Sequence, residues 1–118
     1  MPNWCANEVN IWGKEKDIKA LKKLIYKDKD DTFSFQRIKP IPDKEKDNTY
    51  SWCINNWGTK WDACSVDLVY ESEEHLEYYF DTAWSPPDEI ANTLKQKFPE
   101  LDFSWFYRED GCQIAGWL

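Results

Sequence analysis

The sequence predicts an α+β fold: an antiparallel sheet in β-α-β-β-α-β order, with two helices on one face, an inserted tryptophan-rich loop and an extra C-terminal strand. Three observations predict it. Four segments alternate apolar and polar residues with the period of two of a half-buried strand, and two others repeat apolar residues at helical spacing. An Asp-Gly pair near the end announces a further hairpin. At 118 residues the chain can bury one core but not two, so residues 1-118 read as a single domain.

Trp4 to Trp12 reads as the first strand, Cys5, Val9 and Ile11 alternating with Glu8 and Asn10, and Gly13 ends it. From Lys14 to about Lys27, Ile18, Leu21, Leu24 and Ile25 recur at helical spacing while lysines cover the other side. Phe33, Phe35 and Ile38 suggest a short extended segment, stopped by Pro40 and Pro42. Residues 40-63 are the least regular stretch, a charged run followed by Trp52, Trp57 and Trp61 around Asn55, Asn56 and Gly58. They read as a long inserted loop, and loops of that length are often functional.

A hairpin follows. Val66, Leu68 and Tyr70 alternate with Ser65, Asp67, Val69 and Glu71 between Cys64 and Glu71, and past Ser72 to Glu74 the residues Leu76, Tyr78 and Phe80 alternate with Glu77, Tyr79 and Asp81. Ser85-Pro86-Pro87-Asp88 reads as a helix start, with Ser85 as the cap, Pro86 in the first helical position and Asp88 completing a capping box. Ile90, Leu94 and Phe98 give that helix one apolar stripe, and Pro99 marks its end. Leu101, Phe103, Trp105 and Tyr107 then alternate with Asp102, Ser104, Phe106 and Arg108, and beyond Asp110-Gly111 a strand returns from Cys112 to Trp117.

Composition narrows the function. Lys plus Arg total 15 against 22 Asp plus Glu, a net charge of −7 that repels a phosphate backbone, so nucleic acid is not the expected partner. The mixed runs Lys27-Asp28-Lys29-Asp30-Asp31 and Asp43-Lys44-Glu45-Lys46-Asp47 read as solvated loops. No apolar stretch approaches the ~20 residues of a membrane span and Met1 to Cys5 lack the features of a signal peptide, so a cytoplasmic location without membrane attachment is expected. Cys5, Cys53, Cys64 and Cys112 stand far apart with His75 as the sole imidazole, which points to reduced, mostly buried thiols and to no metal site or cofactor.

Catalytic signatures are absent: there is no GxSxG, glycine-rich phosphate loop or HExxH. A Cys–His pair would need His75 beside Cys64 or Cys112, yet His75 follows Glu73 and Glu74 at an apparent turn. The sheet face away from the helices is expected to carry Glu8, Asn10, Asp67, Glu71, Glu77, Tyr79, Asp81, Asp102, Ser104 and Phe106. That face is acidic, the wrong sign for stacking RNA bases, and it reads as a solvated surface or a dimer interface. Monomer and homodimer both fit.

The feature that stands out is Trp57-Gly58-Thr59-Lys60-Trp61-Asp62 together with Thr82-Ala83-Trp84-Ser85-Pro86-Pro87. Indoles with Thr, Lys and Asp between them can form a pocket of flat apolar walls and orienting polar groups. The same rings can instead plug the end of a small core with Lys60 and Asp62 outside.

These segments carry a resemblance. Met1-Pro2-Asn3-Trp4-Cys5-Ala6-Asn7 with Gly13, then Trp57 to Asp62, then Thr82 to Pro87, and finally Tyr107-Arg108-Glu109-Asp110-Gly111 with Ala115-Gly116, resemble the YubB-like family of bacteriophage and plasmid proteins. The resemblance implies a ferredoxin-like domain from a mobile genetic element in a bacterial cytoplasm and adds Tyr107 and Arg108 to the candidate site. It implies no catalytic mechanism. Many members are longer, so an activity housed in their extra C-terminal part is not expected here.

The leading expectation is a non-enzymatic accessory protein that binds a host protein or small ligand, as counter-defence proteins do, through Trp57, Gly58, Thr59, Lys60, Trp61, Asp62, Trp84, Tyr107 and Arg108. Two alternatives stand beside it: a small metal-dependent hydrolase or nucleotide-processing enzyme using Asp67 and Asp81, and an acidic nucleic-acid mimic acting through the open sheet face.

Overall fold

A computed structural model describes residues 3–26 and 32–118. The first strand, β1 (Trp4–Trp12), lies at the centre of a five-stranded antiparallel sheet whose order is β2-β3-β1-β4-β5. It pairs with β3 (His75–Ala83) and β4 (Asp102–Glu109), while β2 (Cys64–Glu71) borders β3 and β5 (Ile114–Trp117) borders β4. β1 alternates as its sequence requires: Cys5, Asn7, Val9 and Ile11 are buried, while Trp4, Glu8 and Trp12 are exposed.

The buried row faces two helices, α1 (Glu15–Ile25) and a second over Asp88–Lys97. Ile18, Leu21 and Ile25 from the first, and Ile90, Ala91 and Leu94 from the second, join one core with Val9, Ile11, Tyr78, Phe80 and Trp105. At its centre Phe33 packs on Tyr78, Phe80 and Trp105 with ring centroids 5.1, 4.9 and 5.9 Å away. Burying such a ring contributes about 2–3 kcal/mol. Asn7 is the polar exception: its amide donates to Cys5 O (3.1 Å), Phe80 O (3.4 Å) and Thr82 Oγ1 (3.0 Å), and its Oδ1 accepts from Trp105 Nε1 (3.0 Å). With its donors and acceptor bonded, this amide ties β1 to β3 and β4 at little desolvation cost.

Three segments differ from the sequence expectation. Phe35–Ile38 is one helical turn, α2, and not extended chain, because the Asp62 carboxylate accepts from Phe35 N (2.8 Å) and Gln36 N (3.3 Å) while Ser34 Oγ accepts from Arg37 N (3.3 Å). The stretch 40-63 is largely helical: a 3-10 helix over Asp43–Asn48 holds the charged run, and α3 follows over Thr49–Asn56. The Asp88–Lys97 helix, α4, starts three residues after Ser85, whose hydroxyl donates to Gly58 O (2.6 Å) and does not cap it; Asp88 Oδ1 accepts from Glu89 N (2.9 Å) instead of closing a capping box.

Strand ends and faces also shift. α1 ends at Ile25, and Lys27 together with the Lys27 to Asp31 run lies outside the described residues. The returning strand begins at Ile114, after a turn in which buried Glu109 accepts from Gly111 N (2.8 Å) and Cys112 N (2.7 Å). In β2 the register shifts twice, between Cys64 and Asp67 and between Leu68 and Tyr70, with Ser65 at a φ of 53°. The second shift places Tyr70 opposite Glu77 on the uncovered face and turns Glu71 to the helix side, where its carboxylate pairs with Lys22, the reverse of the simple alternation.

Candidate functional site

The tryptophan motif divides into a buried half and an exposed half. Trp57, at the C-terminal end of α3, is only 2% exposed; its ring packs on Phe35 and Trp52 (5.7 and 5.8 Å), and its indole donates to Lys39 O (2.9 Å). Gly58 closes α3 at a φ of 88°, with its N–H donating to Cys53 O (3.2 Å), and a Cβ there would run into Asp88. Thr59 is buried and donates to Ala83 O (2.8 Å). Asp62 caps α2 and accepts from Ala63 N (2.8 Å). These four build the scaffold: the Trp57 ring, the Thr59 hydroxyl and the Asp62 carboxylate are engaged inside the fold.

Lys60, Trp61 and Trp84 are placed differently. Trp61 and Trp84 are each 40% exposed. The Lys60 ammonium lies 4.6 Å from the Trp84 ring centroid and 5.2 Å from that of Tyr50, so two rings hold one cation by its charge. Trp61 meets Trp4 edge to face at 6.3 Å. Trp84 has a φ of 71°, a left-handed conformation that a bulky side chain rarely adopts, fixed by its N–H donating to Asn3 O (2.8 Å). Trp4 and Tyr50 are the contributors that sequence reasoning missed; position-two alternation from Cys5 already puts Trp4 on the uncovered face, whereas Tyr50 is placed by α3, which the sequence does not announce.

Tyr107 and Arg108 sit on opposite faces of β4. Arg108 is opposite Ala6 on the uncovered face and pairs with Asp110 (3.1 Å), while Tyr107 is opposite buried Asn7 and reaches towards Gly116 on β5. His75 is not a simple surface residue. It is half-buried between Trp12 and Tyr70, each 4.9 Å away, with Nε2 2.8 Å from Asn10 Oδ1. Asp81, the residue opposite Cys64, lies six positions further along β3, about 20 Å of strand, so no Cys64–His75 pair forms.

The thiols titrate high. Cys5 and Cys53 are buried, Cys64 is half-buried and Cys112 is exposed; burial pushes Cys5 up to about 11 and raises Cys53 and Cys64, and the hydrogen bond to Glu109 raises Cys112. Thiols held protonated at neutral pH are poor nucleophiles. Among the described residues no three His, Cys, Asp or Glu side chains form a group suited to a metal ion, and no helix is long and apolar enough to cross a membrane.

A four-stranded core in β2-β3-β1-β4 order with α1 and α4 on one face defines a ferredoxin-like domain, here extended by β5. The family described as a ferredoxin-like domain in Api92-like protein matches residues 56–117, just over half of the chain, and the protein belongs to that family. The match contains the segments from Trp57 to Asp62, Thr82 to Pro87 and Tyr107 to Gly116, and leaves out the N-terminal motif. No curated protein and no solved structure matches the chain.

Proposed function

We propose that the domain is a non-enzymatic binding module whose ligand-contacting end is formed by Lys60, Trp61 and Trp84 with Trp4 and Tyr50. The observation that carries this reading is Trp84: an indole left 40% exposed in a left-handed backbone conformation. Such strain costs about 1–3 kcal/mol and clusters where a side chain must be presented in one direction. Lys60 adds a positive charge with no carboxylate partner among the described residues, suited to an anionic group on the bound molecule. The flanking indoles suit an apolar or planar group.

The setting is a phage or plasmid protein acting in the cytoplasm of a bacterial host, on a host protein or a small ligand. The resemblance of the Trp57 to Asp62 and Thr82 to Pro87 segments to YubB-like proteins supports that setting. Because Trp84 and Trp61 lie outside the core, Trp84→Ala and Trp61→Ala are expected to melt within ~3 °C of the parent while a partner captured from host lysate, or a small molecule retained in native mass spectrometry, is lost. Retention of the same partner by the Lys60→Ala, Trp61→Ala, Trp84→Ala triple variant sinks the proposal.

A further inference from the structure

The uncovered face of the sheet carries a second arrangement, independent of the Trp84 end. Tyr79 stands exposed in its middle, and the strand register sets a carboxylate on each of four sides: Glu8 across on β1, Asp67 across on β2, and Glu77 and Asp81 two residues before and after it on β3. Cross-strand neighbours on one face lie about 5 Å apart and same-strand neighbours about 7 Å. Of the four, Glu77 and Glu8 act on the Tyr79 phenol, Glu77 through a hydrogen bond, so a cation resting on the ring comes within reach of these two.

None of the four has an ion-pair partner among the described residues; the pairs that form are Glu15–Lys19, Glu71–Lys22 and Asp110–Arg108. The Tyr79 phenol is raised by its hydrogen bond to Glu77 and by the charges of Glu77 and Glu8, and partial burial raises Asp81. Carboxylates beside an exposed ring favour a positive group over it. Beyond Glu8 the row continues through Phe106 to Trp117, whose rings lie 5.0 Å apart and offer apolar cover beside the acids.

The shape of the site selects among cations. A flat guanidinium stacks on a phenol ring and at the same time donates in its own plane to flanking carboxylates, whereas an ammonium is a compact point charge that does not combine the two contacts. We propose that this face binds a basic protein segment through an arginine side chain stacked on Tyr79 and held by Glu8 and Glu77, with Asp67 and Asp81 adding negative charge around it. The partner's neighbouring residues pack on Phe106 and Trp117.

The test is fluorescence anisotropy with a labelled peptide of alternating Arg and Ser, against its Lys counterpart, at low and high salt. The arginine peptide is expected to bind at low salt about tenfold more tightly than the lysine peptide and to weaken as salt rises. Tyr79→Leu, and separately the pair Glu8→Gln with Glu77→Gln, should each weaken it about tenfold, while removal of two distant charges by Asp43→Asn with Asp47→Asn leaves it within about twofold. Melting curves establish that each variant is folded, and Trp84→Ala, which disables the other end, should leave peptide binding unchanged. Equal affinity for the two peptides, an equal loss from the distant pair, or no binding at low salt overturns the proposal.

Discussion

Under the helices, Phe33, Tyr78, Phe80 and Trp105 pack ring against ring, and Asn7 among them has its polar atoms bonded. On the uncovered face, Trp12, Tyr79 and Phe106 come from the same strands but stand among Glu8, Asp67, Glu77, Asp81 and Asp102. Aromatic content does not separate the two faces; what fills the positions beside each ring does. Where the neighbours are apolar the rings lose water and hold the fold, and where they are acids the rings stay wet and remain free to meet something else.

Substitutions can break this contrast in order of size. Phe33→Ala, at the centre of the helix-covered face, is expected to cost about 4 kcal/mol in urea unfolding, since it removes a ring and leaves a cavity. Asn7→Ala should cost about 2–3 kcal/mol despite losing a small polar group, because the Trp105 indole N–H is left buried without an acceptor; a cost near zero would mean that water replaces the amide.

The smallest effect, of opposite sign, belongs to the uncovered face. The folded pKa of Asp81 lies above its ordinary value of 3.8 because burial disfavours the charge, so its contribution to stability is present below that value and is lost as pH rises through the folded pKa. At pH 7 Asp81→Asn therefore removes a charge that the fold disfavours. A rise in Tm of about 1–2 °C is expected at pH 7 and none at pH 3, and a fall at pH 7 would reverse the contrast between the faces.

Much of the fold was legible because it is periodic. Alternation in β1 and β4, the apolar stripes of α1 and α4, and the Asp-Gly turn before β5 are local signals, and the tertiary structure follows them. α2 was not legible, since its cap is the Asp62 carboxylate from across the chain, and α3 was too short for its apolar spacing to stand out. Nor does local sequence separate the three indoles of the two tryptophan motifs. Trp57 enters the core because α3 aims it there, Trp61 lies against Trp4, and Trp84 is turned outward by its own backbone, a property with no signature in residue type.

The two register shifts in β2 reach further than the side chains they redirect. A strand at the border of a sheet offers a row of free N–H and C=O groups on which another chain can grow, and irregularities at Ser65 and Val69 interrupt that row. The opposite border, β5, is regular but only four residues long. With one margin kinked and the other short, the sheet stops at five strands, and an acidic, ring-rich plane can stay open to water without inviting its own copies to stack edge to edge.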